Sequence, residues 1–216
     1  MSIHMRHLGS ALLALAGFVS AAGAQDFMNS YPRTIPQGNF ELTAHPTLLV
    51  GRDNGPDRWG VAGRFGYGVT NSLDLVAKGG AFDDFGLLGF AANYWVLKGG
   101  GLDLAVNAGA HKALIENAND TTALNLGLQL GGRVGERLDL SGGLSASFES
   151  IDDAPEGLDS DFTRLYVGPG VRYRVTRSLD LLGQAGIGLT DDSPHYFSLG
   201  FAAYFPTSGG ARREDR

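Results

Sequence analysis

Cysteine is absent from this 216-residue chain, which excludes a disulfide framework and any thiolate-held metal centre. A run of about 18 apolar residues, the least that crosses a bilayer as a helix, is missing too. The longest run, from Leu8 to Val19, is shorter than that. Basic residues are the minority, 17 against 23 acidic ones. That balance gives no support to nucleic-acid binding. Proline is sparse, and only Pro46 and Pro169 fall inside regularly alternating segments.

What is present divides the chain into unequal parts. In residues 1–24, Arg6 and His7 precede the apolar run, and Ala22-Gly23-Ala24 supplies small residues before Gln25. This is the pattern of a cleaved signal peptide. Its removal leaves 16 basic residues against 23 acidic ones, a formal charge of −7. Residues 25–39 carry Pro32 and Pro36 and no clean alternation, so they read as an irregular arm, either periplasmic or a plug. Residues 40–205 hold most of the 33 glycines. These lie inside alternating segments and form no linker, which points to one domain. Residues 206–216 read as a polar tail.

The alternating region is organised by a recurring phrase. Val175-Thr-Arg-Ser-Leu-Asp-Leu181 has near-copies from Val69 to Leu75 and from Val134 to Leu140, and a looser one from Gly99 to Leu104. Each reads as a strand end, a tight turn and a strand start, flanked by about ten residues of period two. Ten strands are expected, at 40–52, 59–69, 73–82, 87–98, 102–115, 123–134, 138–149, 162–175, 179–190 and 195–205. The fold class expected is all-β, a ten-stranded antiparallel up-and-down transmembrane barrel, with eight strands as the alternative.

A soluble sandwich would also alternate, so the choice of medium rests on other features. Tight turns alternate with longer, mostly acidic links, the asymmetry of a membrane barrel. Outward aromatics fall at two depths. Phe40, Tyr67, Tyr94, Tyr173 and Phe205 lie near the tight turns, and Trp59, Phe148 and Phe197 lie near the loops, as an aromatic girdle at two water–lipid interfaces would. Nine to eleven tilted residues also match an apolar band of about 25 Å. Pro46 and Pro169 each remove a ladder hydrogen bond, so a bulge is expected at each. Lys112 falls on the lipid face, either snorkelling or marking an error of register.

The last strand, Phe197-x-Leu199-x-Phe201-x-Ala203-x-Phe205, resembles the C-terminal β-signal of Gram-negative outer-membrane β-barrel proteins, the small porin-like class. The resemblance spans about residues 1–205. It implies insertion by the barrel assembly machinery, residence among outer-membrane lipid and lipopolysaccharide, tight turns in the periplasm and longer loops outside.

Inward positions carry the candidate chemistry. They are Glu41, His45, Arg64, Asp74, Lys78, Asp103, His111, Arg133, Asp139, Glu149, Arg164, Arg172, Arg174 and Asp180. Asp74, Asp103, Asp139 and Asp180 each follow a tight turn, so they should ring one mouth. They either form a cation-attracting constriction or pair across their hairpins, Arg133 with Asp139 and Arg174 with Asp180. The many inward glycines leave room for a narrow passive channel for small solutes, which is the function expected. The alternatives are a closed structural or surface-interaction barrel and, third, an omptin-like hydrolase built on Asp83, Asp84, Asp192 and His195. No catalytic residue, cofactor or metal is expected, and oligomeric state is not readable.

Overall fold

A computed structural model of the chain describes residues 31–52, 55–99, 101–116, 119–154 and 160–207. The signal-peptide reading of 1–24, the first part of the arm and the tail beyond 207 lie outside the described residues. Ten strands form: β1 (Asn39–Val50), β2 (Arg58–Gly68), β3 (Leu73–Phe82), β4 (Phe85–Leu97), β5 (Asp103–Ile115), β6 (Thr121–Val134), β7 (Leu138–Ile151), β8 (Asp161–Arg174), β9 (Leu179–Gly188) and β10 (His195–Pro206). Every boundary falls within two residues of the expected one, and the eight-strand alternative is set aside. All neighbours are antiparallel, and β1 closes on β10 from Asn39↔Pro206 to Val50↔His195. Closure leaves no strand edge, so the wall satisfies its backbone donors and acceptors internally.

The medium follows from which side chains the closed wall turns outward. In β6, Leu124, Leu126, Leu128 and Leu130 are exposed while Asn125 is buried. Leu199 is 73% exposed and Phe90 67%, whereas Asp180 and Arg164 are at 0%. A water-soluble protein buries the opposite set. At about 25 cal/mol per Å² of apolar surface removed from water, this outer face is stabilised only in hydrocarbon. Strands of 10 to 14 residues are long enough to cross it when tilted.

Register sets the outward aromatics in levels. Phe40 stands opposite both Phe205 and Tyr67 near the turns, and Leu48 stands between Trp59 and Phe197 near the loops. Phe65, Phe90 and Phe201 are also exposed and lie between these levels, so the sorting into two depths is partial.

Neither proline carries the expected bulge. The β1–β10 ladder passes from Ala44↔Phe201 to Thr47↔Ser198 with its register unchanged, and β8–β9 passes likewise from Val167↔Ile187 to Gly170↔Gln184. Each proline removes a rung, and a glycine beside the gap absorbs the misfit. A Cβ on Gly200 would overlap the Ala44 carbonyl, and one on Gly168 the Ala185 carbonyl. Close backbone approach therefore replaces the extra residue. A register shift occurs instead between Trp95 and Leu97. Lys112 is no register error: it points outward and its Nζ lies 3.1 Å from Asp120 and 3.0 Å from Asp152 in the loop-side rim.

Candidate functional site: the barrel lumen

Period two carries the polar residues of every strand into one enclosed space. In its middle and toward the turns, charges of both signs are compensated by each other. Glu41 of β1 accepts from Arg64 Nε of β2 at 3.0 Å and closely from the same guanidinium's Nη2. Arg172 of β8 lies 4.0 Å from Glu41 and 3.6 Å from Asp180, which also accepts from the Tyr204 hydroxyl at 3.1 Å. Lys78 is buried opposite Arg64 in register. Nearer the loops, His111 Nδ1 is 2.8 Å from Asn125, which donates to Ser147 at 3.0 Å. Glu149 and Arg164 face each other at 3.5 Å, both shielded from solvent.

The four aspartates after the tight turns are all buried at one end, and they divide into two kinds. Asp139 takes Arg133 at 3.4 Å across its hairpin. Asp180 stands opposite Arg174 in register and is reached by Arg172. Asp74 and Asp103 face the arm instead. Asp74 accepts the Ile35 backbone N–H at 2.9 Å and the Asn93 amide at 2.5 Å. Asp103 accepts from Arg33 Nε at 2.7 Å and from the Tyr31 hydroxyl at 3.4 Å.

Residues 31–38 thus enter the turn-side mouth. Tyr31, Thr34 and Ile35 are buried there, with the Arg172 guanidinium 5.0 Å from the Tyr31 ring. Burial, reinforced by the nearby Asp139 carboxylate, pushes the Tyr31 phenol up to about 12, so it stays a neutral donor at physiological pH. Gly38, at φ 75°, makes the turn into β1, a backbone conformation that side chains oppose. Its N–H donates to the Gly68 carbonyl at 2.8 Å.

The loop-side mouth is filled by apolar side chains of the wall itself. Leu49, Phe85, Leu87, Ile115, Tyr166 and Tyr196 form one buried cluster with Ala62 and Ala113. Phe82 stacks on Phe85 with centroids 4.5 Å apart. Sequence reasoning missed this cluster. Its signal is the loss of alternation at the loop-side strand ends, Leu48-Leu49-Val50 and Leu87-Leu88, where both faces are apolar. Between the two closures lies a cavity of about 30 Å³, walled by Asn107, Gln129, Ser141, Ser145, Tyr166, Gln184, Tyr196 and glycines. That is room for about two waters. A smaller cavity of about 10 Å³ lies against Tyr31, Pro32 and Arg33 and shares Asn107 and Gln129 with it.

Three of the four residues of the hydrolase reading have structural partners, and the fourth, Asp192, is exposed. Asp83 accepts the Trp59 backbone N–H at 2.9 Å, and both oxygens of Asp84 lie 2.8 Å from Arg58 Nε. His195 Nδ1 accepts the Gly188 N–H at 3.1 Å. Among the described residues, no group of three His, Asp or Glu is placed to hold a metal ion.

No family model matches this chain, and no curated protein does either. Solved structures do. An outer membrane channel from Pseudomonas putida F1 aligns at TM-score 0.50 and 10% identity, over 81% of this chain and 98% of that one. A bacterial polysaccharide outer membrane secretin aligns at 0.48 and 10% identity, over 77% of this chain. The match covers 65% of the secretin chain, just under two thirds of its length. The translocator domain of the autotransporter NalP from Neisseria meningitidis aligns at 0.45 and 11% identity, over 94% and 96% of the two chains. The chain has the fold of the small outer-membrane β-barrel class.

Proposed function

We propose that this protein is an outer-membrane barrel that stands closed, serving as a structural and surface-presenting element and not as a standing pore. One observation carries the reading. Both mouths of the lumen are filled, and the cavity walled by Asn107, Gln129 and Tyr166 between them holds about two waters. The charges that would line a channel are spent on each other: Glu41 on Arg64, Asp139 on Arg133, Glu149 on Arg164. What reaches the loop-side water is acid-rich, with Asp57, Asp153, Asp191 and Asp192 exposed or partly so at the rim. Contact with lipopolysaccharide and insertion by the barrel assembly machinery belong to this reading.

A narrow passive channel for small solutes is the second reading, favoured by the uncharged, glycine-lined cavity at mid-lumen. The peptidase reading ranks third, because Asp83, Asp84 and His195 are engaged in holding strand ends. Osmotic swelling of proteoliposomes separates the first two. With the purified protein, swelling in small sugars and amino acids is expected to match that of protein-free vesicles. Solute entry graded by molecular size would establish the channel instead.

A further inference from the structure

Residues 31–38 precede the first strand and pair with no strand along their length, yet the wall is shaped to receive them. Three wall positions are glycine where any side chain would strike this segment. A Cβ on Gly66 would overlap Ile35 Cδ1, one on Gly68 the Pro36 carbonyl, and one on Gly131 would meet Pro32 Cδ at 2.8 Å. These glycines come from β2 and β6, distant in sequence and both facing the lumen. The segment is then fastened at a few points, chiefly Arg33 on Asp103, Ile35 N–H on Asp74, and Gly38 with Gly68. Behind it, Asn107 and Gln129 line both the small space against the segment and the larger uncharged chamber, so the two spaces are neighbours along one line.

We propose that residues 31–38 are a releasable stopper, seated in a glycine-cut recess, which separates an uncharged hydrogen-bonding chamber from the turn-side mouth. With the segment seated the chamber has room for about two waters. With it released the recess joins the chamber, and the combined space suits small neutral solutes that donate and accept hydrogen bonds. Its amides, serines and tyrosine hydroxyls offer no net charge, and Gln184 donates to the Tyr196 hydroxyl at 3.0 Å while its Oε1 has no partner. Release follows from the attachment. A segment held at isolated points opens locally while a closed ladder of strands stays intact. The inference goes beyond the closed-barrel reading, because a stopper can guard a blind chamber whose far end never opens.

The absence of cysteine makes a clean test. A single Ser145→Cys reporter on β7 faces the chamber, and 2-hydroxyethyl methanethiosulfonate is a small, neutral, hydroxylated probe. The labelling rate is measured in nanodiscs for three proteins: the reporter alone, the reporter lacking residues 25–38, and the reporter with Gly68→Ala. The last leaves the segment's own sequence untouched and places a methyl group against the Pro36 carbonyl. Retention of the heat-dependent gel shift confirms the folded barrel in each. Labelling is expected to be slow in the first protein, at least about tenfold faster in the second and intermediate in the third, since the rate follows the open population. Equal rates in the first and second proteins overturn the proposal, whether both are fast, so that nothing is sealed, or both slow, so that the chamber does not lie behind the segment.

Discussion

At the loop-side mouth the groups that fill the lumen, Phe85, Leu87, Ile115 and their neighbours, belong to strands that also build the wall. At the turn-side mouth, Tyr31, Arg33 and Ile35 belong to a segment outside the strands. The first closure is apolar and shares its backbone with the ladder, so it can be lost only as the barrel loosens. The second is fastened largely by polar contacts and can leave while the wall stands. One lumen therefore has a closure whose loss should loosen the whole wall and a closure whose loss should leave the wall standing.

Four predictions press on that difference. Phe85→Ala removes a ring from the loop-side cluster and should destabilise the whole barrel by about 3–5 kcal/mol, read as a lowered urea midpoint in detergent. A midpoint unchanged from wild type would detach that cluster from global stability. Arg164→Ala leaves Glu149 buried without its ion pair, and about 3–5 kcal/mol is expected for breaking such a pair. The same unfolding titration checks it.

On the turn side the effects should be smaller and local. Arg33 is 25% exposed, so Arg33→Ala removes a partly screened ion pair, and release of the segment then opens the buried Asp103 carboxylate to water instead of stranding it. The global midpoint should move by no more than about 1 kcal/mol. The Arg33 guanidinium also lies 5.9 Å from the Trp95 ring, so the substitution should raise quenching of Trp95 by iodide, measured in a Trp59→Phe background. A global shift as large as that of Phe85→Ala would erase the contrast between the mouths.

The smallest effect is on pH dependence. A phenol raised from 10.0 to about 12 binds its proton more tightly in the folded seat than when released. Its hold on the segment is therefore complete below pH 10 and is lost as pH rises toward 12. Trp95 quenching should climb across that window in wild type and stay flat in Tyr31→Phe.

Much of this architecture can be read from the sequence, for a physical reason. A wall between hydrocarbon and an enclosed polar interior forces strict alternation, and each Leu-Asp-Leu phrase sets one outward, one inward and one outward residue just after a turn. Strand positions and the inward placement of the four aspartates followed from that rule, which also put Lys112 outward but left snorkelling and a register error both open. The division of those aspartates did not, because the partners of Asp74 and Asp103 lie in an arm without periodicity. Inward glycines read as empty space for a similar reason. Gly66, Gly68 and Gly131 are occupied by residues 32–36, and no local pattern records a contact across the lumen. The loop-side cluster escaped notice because Leu49 and Leu87 sit beside outward leucines, where the period fails. Pro46 misled because the accommodation lies in Gly200 on a neighbouring strand, and Pro169 because Gly168 beside it lets the backbones approach without an extra residue.

Single-channel recording in planar bilayers reaches the central claim most directly when four proteins are compared: the intact barrel, one lacking residues 25–38, one carrying Phe85→Ala with Leu87→Ala, and one with both changes. Two independent closures predict silence from the intact protein and from the arm deletion alone, with discrete conductance steps appearing only when both mouths are opened. Steady steps from the intact protein would contradict the account, and steps from the arm deletion alone would show that the loop-side cluster closes nothing.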